Sequence, residues 1–253
     1  MAGAAVLAMV GIGKNQRPQA IFLDAVGTLF GIRGSVGEIY ANFAAQAGVI
    51  VDPTQLDQAF MTSFAQAPKL NSSLAMGEAL VALEQAWWEA VAAKSFAAVG
   101  VLGKFPDFSR FFQDLFDHFA LADPWYVYED VRQVLSSWQE MGIRLGILSN
   151  FDSRLYPVLE ALDLAPFFDS VTISTHVGAA KPDSNIFNIA LEHYNLEPVQ
   201  AWHIGDSWSE DVVGAYQAGL GAIWLNRTGK PLPRPGIALQ VVTSLTELSL
   251  LGL

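Results

Sequence analysis

Cysteine is absent from the 253 residues. Disulfides, thiol catalysis and Cys-ligated zinc are excluded with it. The absence also suits a reducing compartment, and a cytoplasmic location is the expectation. Charge is scarce too: charged residues make up 15% of the chain against 52% apolar. That balance excludes a disordered polypeptide and marks a globular one long enough to bury a real core. Basic residues are the scarcer kind, 14 Lys and Arg against 25 Asp and Glu, for a formal net charge of −11. A field of that sign repels nucleic acid and anionic membranes, so neither is an expected partner. "MAGAAVLAMVGIG" at residues 1–13 is apolar but has no basic residue before Lys14, so it lacks the start of a secretory signal. It is also shorter than the roughly 20 apolar residues of a membrane span. Residues 1–15 read as a loose or weakly helical N-terminal extension. The glycosylation-type triplets at Asn71 and Asn226 read as chance in a chain with no export signal.

Several functional signatures are missing as well. There is no GxxxxGK[ST] phosphate loop and no GxSxG nucleophile elbow. "GIGK" lacks the third glycine of a dinucleotide fingerprint and precedes a strand. His118, His176, His193 and His203 have no metal-pair spacing, and His203, inside an apolar run, reads as a packed core histidine.

Five short apolar runs are present, over residues 20–26, 143–150, 171–175, 202–206 and 222–226. They are continuous rather than alternating, which predicts parallel strands buried on both faces. Helical patterns over 128–141, 152–162, 183–195 and 209–219 separate the later runs, with Asp183 or Ser184 as a cap and Gly219 as a stop. Strand and helix in alternation predict an α/β protein with a doubly wound, Rossmann-like parallel sheet. Residues 27–142 separate the first strand from the second, too many for a structureless loop. Their pattern is helical throughout: Ser35 with Glu38 and Asp52 with Gln55 resemble capping boxes, and 79–96 and 107–120 read as long helices. The expected organisation is an α/β core from residues 16–31 and 128–253 with an inserted all-helical cap at 32–127. Trp87, Trp88 and the phenylalanines of 105–119 read as the core of that cap.

Four chemical signals end four of the strands, in chain order. Asp24 with Gly27 and Thr28 stands in "FLDAVGTLF", Ser149–Asn150 in "LSN", Lys181 in "AAKPD", and Asp206 with Asp211 in "HIGDSWSEDVVGA". In a doubly wound sheet the carboxyl ends of the strands line one crevice. Three carboxylates brought that close need a counter-ion. Their hard oxygens suit Mg²⁺, Lys181 adds a positive charge, and Ser149, Thr28 and backbone N–H groups can hold substrate oxygens. The expected partner is a small anionic molecule; oligomeric state is open, with a monomer as the default.

"DAVGT", "LSN", "AKPD" and "GDSWSED" resemble the haloacid dehalogenase superfamily pattern of DxDx[TV], Ser/Thr, Lys and GDxxx(x)D, from about residue 16 to the C-terminus. The "DxVGT" form looks like a subgroup known as haloacid dehalogenase-like hydrolase domain proteins. The resemblance implies a hydrolase with a helical cap and Asp24 as nucleophile. It implies Mg²⁺ held by Asp24, the Val26 carbonyl and Asp206, with Asp211 direct or through water. It also implies that Thr28, Ser149, Asn150 and Lys181 bind the transferred group or screen its charge.

Val26 departs from that pattern. Phosphatases of the superfamily carry a second aspartate there, which protonates the leaving alkoxide and then activates water. Such help is typically worth 10²–10⁴-fold, and valine can give none of it. The expectation is therefore a Mg²⁺-dependent phosphatase-type hydrolase, weak or selective on small phosphate esters. The alternatives are a 2-haloacid dehalogenase, whose halide leaves without a proton, and a non-catalytic phosphate- or protein-binding module. Superfamily dehalogenases use a cap arginine, which this sequence lacks between Arg33 and Arg110, and lose the metal-type acids, which here are complete. Phosphonoacetaldehyde hydrolase, a relative with a small apolar residue at the same place, uses a cap lysine; Lys69, Lys94 and Lys104 read as surface charges.

Overall fold

The computed structural model describes residues 17–70, 75–233 and 240–249, so the N-terminal extension and the Asn71 triplet lie outside the described residues. Eight strands are formed: β1 (Ala20–Leu23), β2 (Phe30–Ile32), β3 (Trp125–Val127), β4 (Arg144–Ser149), β5 (Ser170–Ile173), β6 (Ala201–Gly205), β7 (Gly221–Leu225) and β8 (Gln240–Val242). Six of them make one sheet in the order β5-β4-β1-β6-β7-β8, with every adjacent pair parallel. The Rossmann-like doubly wound sheet expected from the apolar runs is thus present. The helices are α1 (Val36–Gln46), α2 (Pro53–Ala65), α3 (Glu78–Ala98), α4 (Phe108–His118), α5 (Val131–Glu140), α6 (Leu155–Ala161), α7 (Ser174–Val177), α8 (Ser184–Glu192), α9 (Gly214–Gln217) and α10 (Thr246–Ser249).

The described residues fall into two compact units. The sheet unit takes the chain up to Phe30, Val127–Asn150 and the chain from Pro166 onward. Strands β1, β4 and β6 are buried along almost their whole length, which is why their sequences are continuously apolar. Phe22, Ile186, Phe187, Leu191, Val212 and Trp224 pack together in its core. Strand order reverses at β1: β4 lies on one side of it and β6 on the other. A crevice at the carboxyl end of such a strand is where open α/β sheets bind ligands.

The helical unit takes Gly31–Tyr126 and Phe151–Ala165. Its core is aromatic: Tyr40, Phe60, Phe96, Phe105, Phe111, Phe112 and Phe116 are buried, with Tyr40 stacked on Phe96 at 5.9 Å. Trp87 and Trp88 are half-buried rather than central, and Trp88 uses its indole N–H to reach Asp152 at 2.6 Å. Residues 151–165 group with these helices for a chemical reason. Asp152 also takes a bidentate pair from Arg154, and Ser153 donates its N–H and hydroxyl to buried Glu84 on α3. The local stops and starts follow side-chain capping: Ser35 and Glu38 make a full capping box, Asp52 accepts from Gln55 N with Pro53 in the first turn, and Asp183 caps α8.

Candidate active site

β1 ends at Leu23 and the next residue is Asp24, whose N–H is still held by the carbonyl of Ile204 on β6 at 2.9 Å. The apolar run continues through Ala25 and Val26, so the sequence predicts strand to residue 26. The backbone instead turns, with Leu29 N–H donating to Ala25 O at 2.8 Å and Gly27 N–H to Phe30 O at 2.8 Å. Gly27 is required there twice over. Its φ is +85°, and a Cβ on it would stand 2.8 Å from the Asp206 carboxylate.

Lys181 Nζ is the centre of the site. It donates to Asp24 Oδ1 at 2.7 Å and to Asp211 Oδ1 at 2.6 Å. Ser149, the last residue of β4, donates its hydroxyl to the same Asp24 Oδ1 at 3.1 Å. All four of these side chains are buried. Asp211 sits on a short π-helical turn, Trp208–Val213, where its Oδ2 accepts from Ser207 N–H at 2.9 Å. Asp206 follows β6 directly, and Trp224 Nε1 donates to its carbonyl at 2.9 Å. Asp24, Asp206 and Asp211 each offer a carboxylate oxygen within 4.8 Å of the other two.

Asn150 has a supporting position. Its Nδ2 donates to the Lys181 carbonyl at 3.0 Å and its Oδ1 accepts from Lys181 N–H at 2.8 Å, so the amide clamps the backbone that carries the ammonium. Thr28 is wholly buried and its Oγ1 has no hydrogen-bond partner among the described residues. Val26 stands beside the site with its side chain partly in solvent.

His203 was read from the sequence as a packed core histidine; it is packed in the core and has a polar partner as well. It is buried on β6, its ring edge-on to Phe187, but its Nε2 lies 2.9 Å from Asp211 Oδ1. Since that oxygen belongs to a carboxylate, Nε2 carries the proton and donates. A buried polar side chain on a strand covered on both faces must find a partner somewhere, and that was the available signal. His203 and Gly205 share one face of β6, and both meet Asp211.

Electrostatics follow from three carboxylates and two ammonium groups, buried Lys181 between Asp24 and Asp211 and exposed Lys230 at 3.9 Å from Asp206. Burial raises the Asp24 pKa, Lys181 opposes it and Asp211 adds to it, for a net rise. Burial would lower the Lys181 pKa, but Asp211 and Asp24 outweigh it and hold the ammonium charged. Burial would also raise the Asp211 pKa, but Lys181 and His203 hold it well below the usual carboxylate range. Burial, Asp24 and Asp211 push Asp206 up to about 6. Burial lowers the His203 pKa despite its bond to Asp211, which keeps the ring neutral. The carboxylates therefore exceed the cations available to them. Hard oxygens in excess charge are the donor set a divalent cation such as Mg²⁺ needs, so the residues present fit that ion.

A lysine-bridged pair of aspartates with a third acid beside them thus stands at the switch point of a parallel sheet, in the motif order that resembles the haloacid dehalogenase superfamily. The chain belongs to the haloacid dehalogenase-like hydrolase family, whose profile matches residues 18–219. It is 32% identical over 200 residues to mouse (Mus musculus) haloacid dehalogenase-like hydrolase domain-containing protein 3, covering 78% of this chain and 77% of that one. Among solved structures it is similar to a phosphatase of the family from Thermococcus onnurineus, with 22% identity, a TM-score of 0.64, and 92% of this chain and 97% of that one covered. It is also similar to a 2-haloacid dehalogenase from Pseudomonas syringae pv. Tomato DC3000, with 21% identity, a TM-score of 0.67, and 93% and 98% covered. At these identities the likeness shows the fold alone.

Proposed function

We propose that this chain is a Mg²⁺-dependent hydrolase of small phosphate monoesters that uses Asp24 as nucleophile and works without the usual general acid. The observation that carries the reading is the grouping of Asp24, Asp206 and Asp211 within 4.8 Å of one another, with Lys181 bridging Asp24 and Asp211. Asp24 Oδ1 accepts from both Lys181 and Ser149, which leaves Oδ2 as the attacking oxygen. Attack on phosphorus forms an aspartyl phosphate as the P–O bond to the leaving group breaks. Water then cleaves that intermediate and restores Asp24. Lys181 and Ser149 stabilise charge on the transferred group. Asp24, Asp206, Asp211 and the Val26 carbonyl are the groups that would hold Mg²⁺, which when bound supplies positive charge against the phosphoryl oxygens. Val26 offers no proton, so the leaving oxygen departs as an anion. Aryl and other good leaving groups are therefore favoured over alkyl ones.

The test is p-nitrophenyl phosphate hydrolysis with Mg²⁺ for wild type, Asp24→Asn and Val26→Asp. Wild type is expected to turn over and Asp24→Asn to be inactive. Val26→Asp is expected to gain about 10–100-fold on alkyl phosphates, part of the 10²–10⁴ that acid–base help supplies. Full activity in Asp24→Asn would sink the reading. A second reading, 2-haloacid dehalogenation, has Val26 in its favour because halide needs no proton. Halide release that survives EDTA would select it. Mg²⁺ binding with no turnover on either substrate would select a binding module.

A further inference from the structure

Arg227 lies outside the four motifs, yet its guanidinium reaches the turn that carries Asp24. It follows β7 by two residues and spreads over three acceptors. Nη2 donates to the Thr28 carbonyl at 2.9 Å and to Asp130 Oδ1 at 2.9 Å, and Nη1 donates to Asp130 Oδ2 at 3.0 Å. The guanidinium carbon stands 4.0 Å from the centroid of the Tyr128 ring. Asp130 is fixed in turn by Ser244 Oγ and Leu245 N–H, each at 2.7 Å. The Arg227 and Asp130 side chains are only 13% and 10% exposed. A planar fork that is paired, stacked and shielded from water is a rigid anchor, which lysine cannot reproduce.

The anchor matters because of what it holds. The bonds inside residues 24–30 set the shape of the turn, and Asp24 N–H ties its start to β6. Its far side is tied at two adjacent carbonyls, Thr28 by Arg227 at 2.9 Å and Leu29 by Tyr128 N–H at 3.2 Å, and the Tyr128 ring itself lies under the Arg227 guanidinium. Between the tied start and the tied far side lie the Val26 carbonyl and Gly27, whose α-carbon packs directly on the Asp206 carboxylate. Gly27, Asp206 and Arg227 also line one small cleft of about 50 Å³. A turn released at Thr28 loses the stronger of its two far-side ties and the cation under which Tyr128 is stacked, so Val26 and Gly27 gain room to shift relative to Asp206. A misplacement on the scale of 1 Å at reacting groups can cost on the order of 10²-fold in rate.

We propose that Arg227 is a positioning residue: from a base clamped on Asp130, it grips the Thr28 carbonyl and so sets where the Asp24 turn stands relative to Asp206. The competing account is an ion pair that stabilises the fold and does nothing particular for the turn.

Amide exchange by mass spectrometry on the full chain separates the two, with p-nitrophenyl phosphate kinetics alongside, for wild type, Arg227→Met, Arg227→Lys and Leu191→Ala. Leu191 is buried in the core on α8 and serves as a general destabilisation away from the turn's bonds. In Arg227→Met, residues 24–30 are expected to exchange at least about tenfold faster while β4 keeps its wild-type rate. Its kcat is expected to fall about 10–100-fold with KM within about twofold. Arg227→Lys should recover part of both effects, and Leu191→Ala should loosen the unit evenly with kcat kept. Wild-type exchange at 24–30 in Arg227→Met, or an even rise like that of Leu191→Ala, would overturn the proposal. The kinetic arm rests on the phosphomonoesterase reading and the exchange arm does not. A chain silent on p-nitrophenyl phosphate counts against that reading, while exchange still decides this one. If Arg227→Met does not fold, Arg227→Lys decides: it keeps the charge but not the fork, so exchange at 24–30 is expected to exceed wild type by a smaller factor, and a wild-type rate there would overturn the proposal.

Discussion

Asp211 accepts from three donors: Lys181 and His203 at Oδ1, and Ser207 N–H at Oδ2. A carboxylate so held cannot swing aside. Gly205 meets it face-on, since a Cβ there would fall 2.1 Å from Asp211 Cγ. Gly205→Ala is therefore expected to displace the Asp211 carboxylate, with overpacking worth about 1–3 kcal/mol in urea unfolding. Mg²⁺-dependent turnover should fall by about 10²-fold or more, the scale of a lost preorganised group. Near-wild-type stability and rate would show that Asp211 has room to relax. Asp24, Ser149 and Asp206 were legible in the sequence because each stands at or directly after the end of a strand; Lys181, expected at a strand end, lies instead between α7 and α8, and it and Asp211, on the π turn, were legible from motif order alone. His203 was not, because a histidine in an apolar strand reads the same whether it packs or bonds. Arg227 was not, because its acceptors are a backbone carbonyl nearly two hundred residues earlier and Asp130, at the start of a helix that the sequence alone does not bring near.

At the level of elements, the five long apolar strands were readable because burial on both faces leaves a continuous run. β2, β3 and β8 were not, since three residues each carry no period. The π turn over Trp208–Val213 was read as ordinary helix, because one extra residue per turn leaves the apolar spacing almost unchanged. The junction of α5, β7 and α10 through Asp130 is likewise a product of the tertiary fold, and it makes stability depend on pH. Burial alone would raise the Asp130 pKa, but the bonds from Arg227, Ser244 and Leu245 outweigh it and lower it below 3.8. A carboxylate whose folded pKa is depressed binds fewer protons folded than unfolded, so its contribution is present above about pH 4 and is lost as pH falls through the folded value. Asp130→Asn is expected to lose about 2–4 kcal/mol at pH 7, since Arg227 is left largely buried without its charged partner. The gap between variant and wild type should narrow below pH 4 in urea titrations. A gap that stays constant from pH 7 to pH 3 would mean that the charge of Asp130 contributes nothing.

Across the whole molecule the charge is −11, and any divalent cation will screen that self-repulsion to some degree. Binding at Asp24, Asp206 and Asp211 must be told apart from this general effect. A site-bound ion stabilises by mass action, about 2.7 kcal/mol at a concentration 100 times its Kd. For a chain of this size that corresponds to a rise in Tm of roughly 5–10 °C. Calorimetry in EDTA and in excess Mg²⁺, with ionic strength matched by NaCl, is expected to show that rise in wild type and almost none in Asp206→Asn or Asp211→Asn. Each substitution takes the net charge only from −11 to −10, so it leaves general screening nearly intact while removing a ligand. A Tm shift that survives both, or that NaCl reproduces in wild type, would belong to the field of the whole chain and would take Mg²⁺ out of the site.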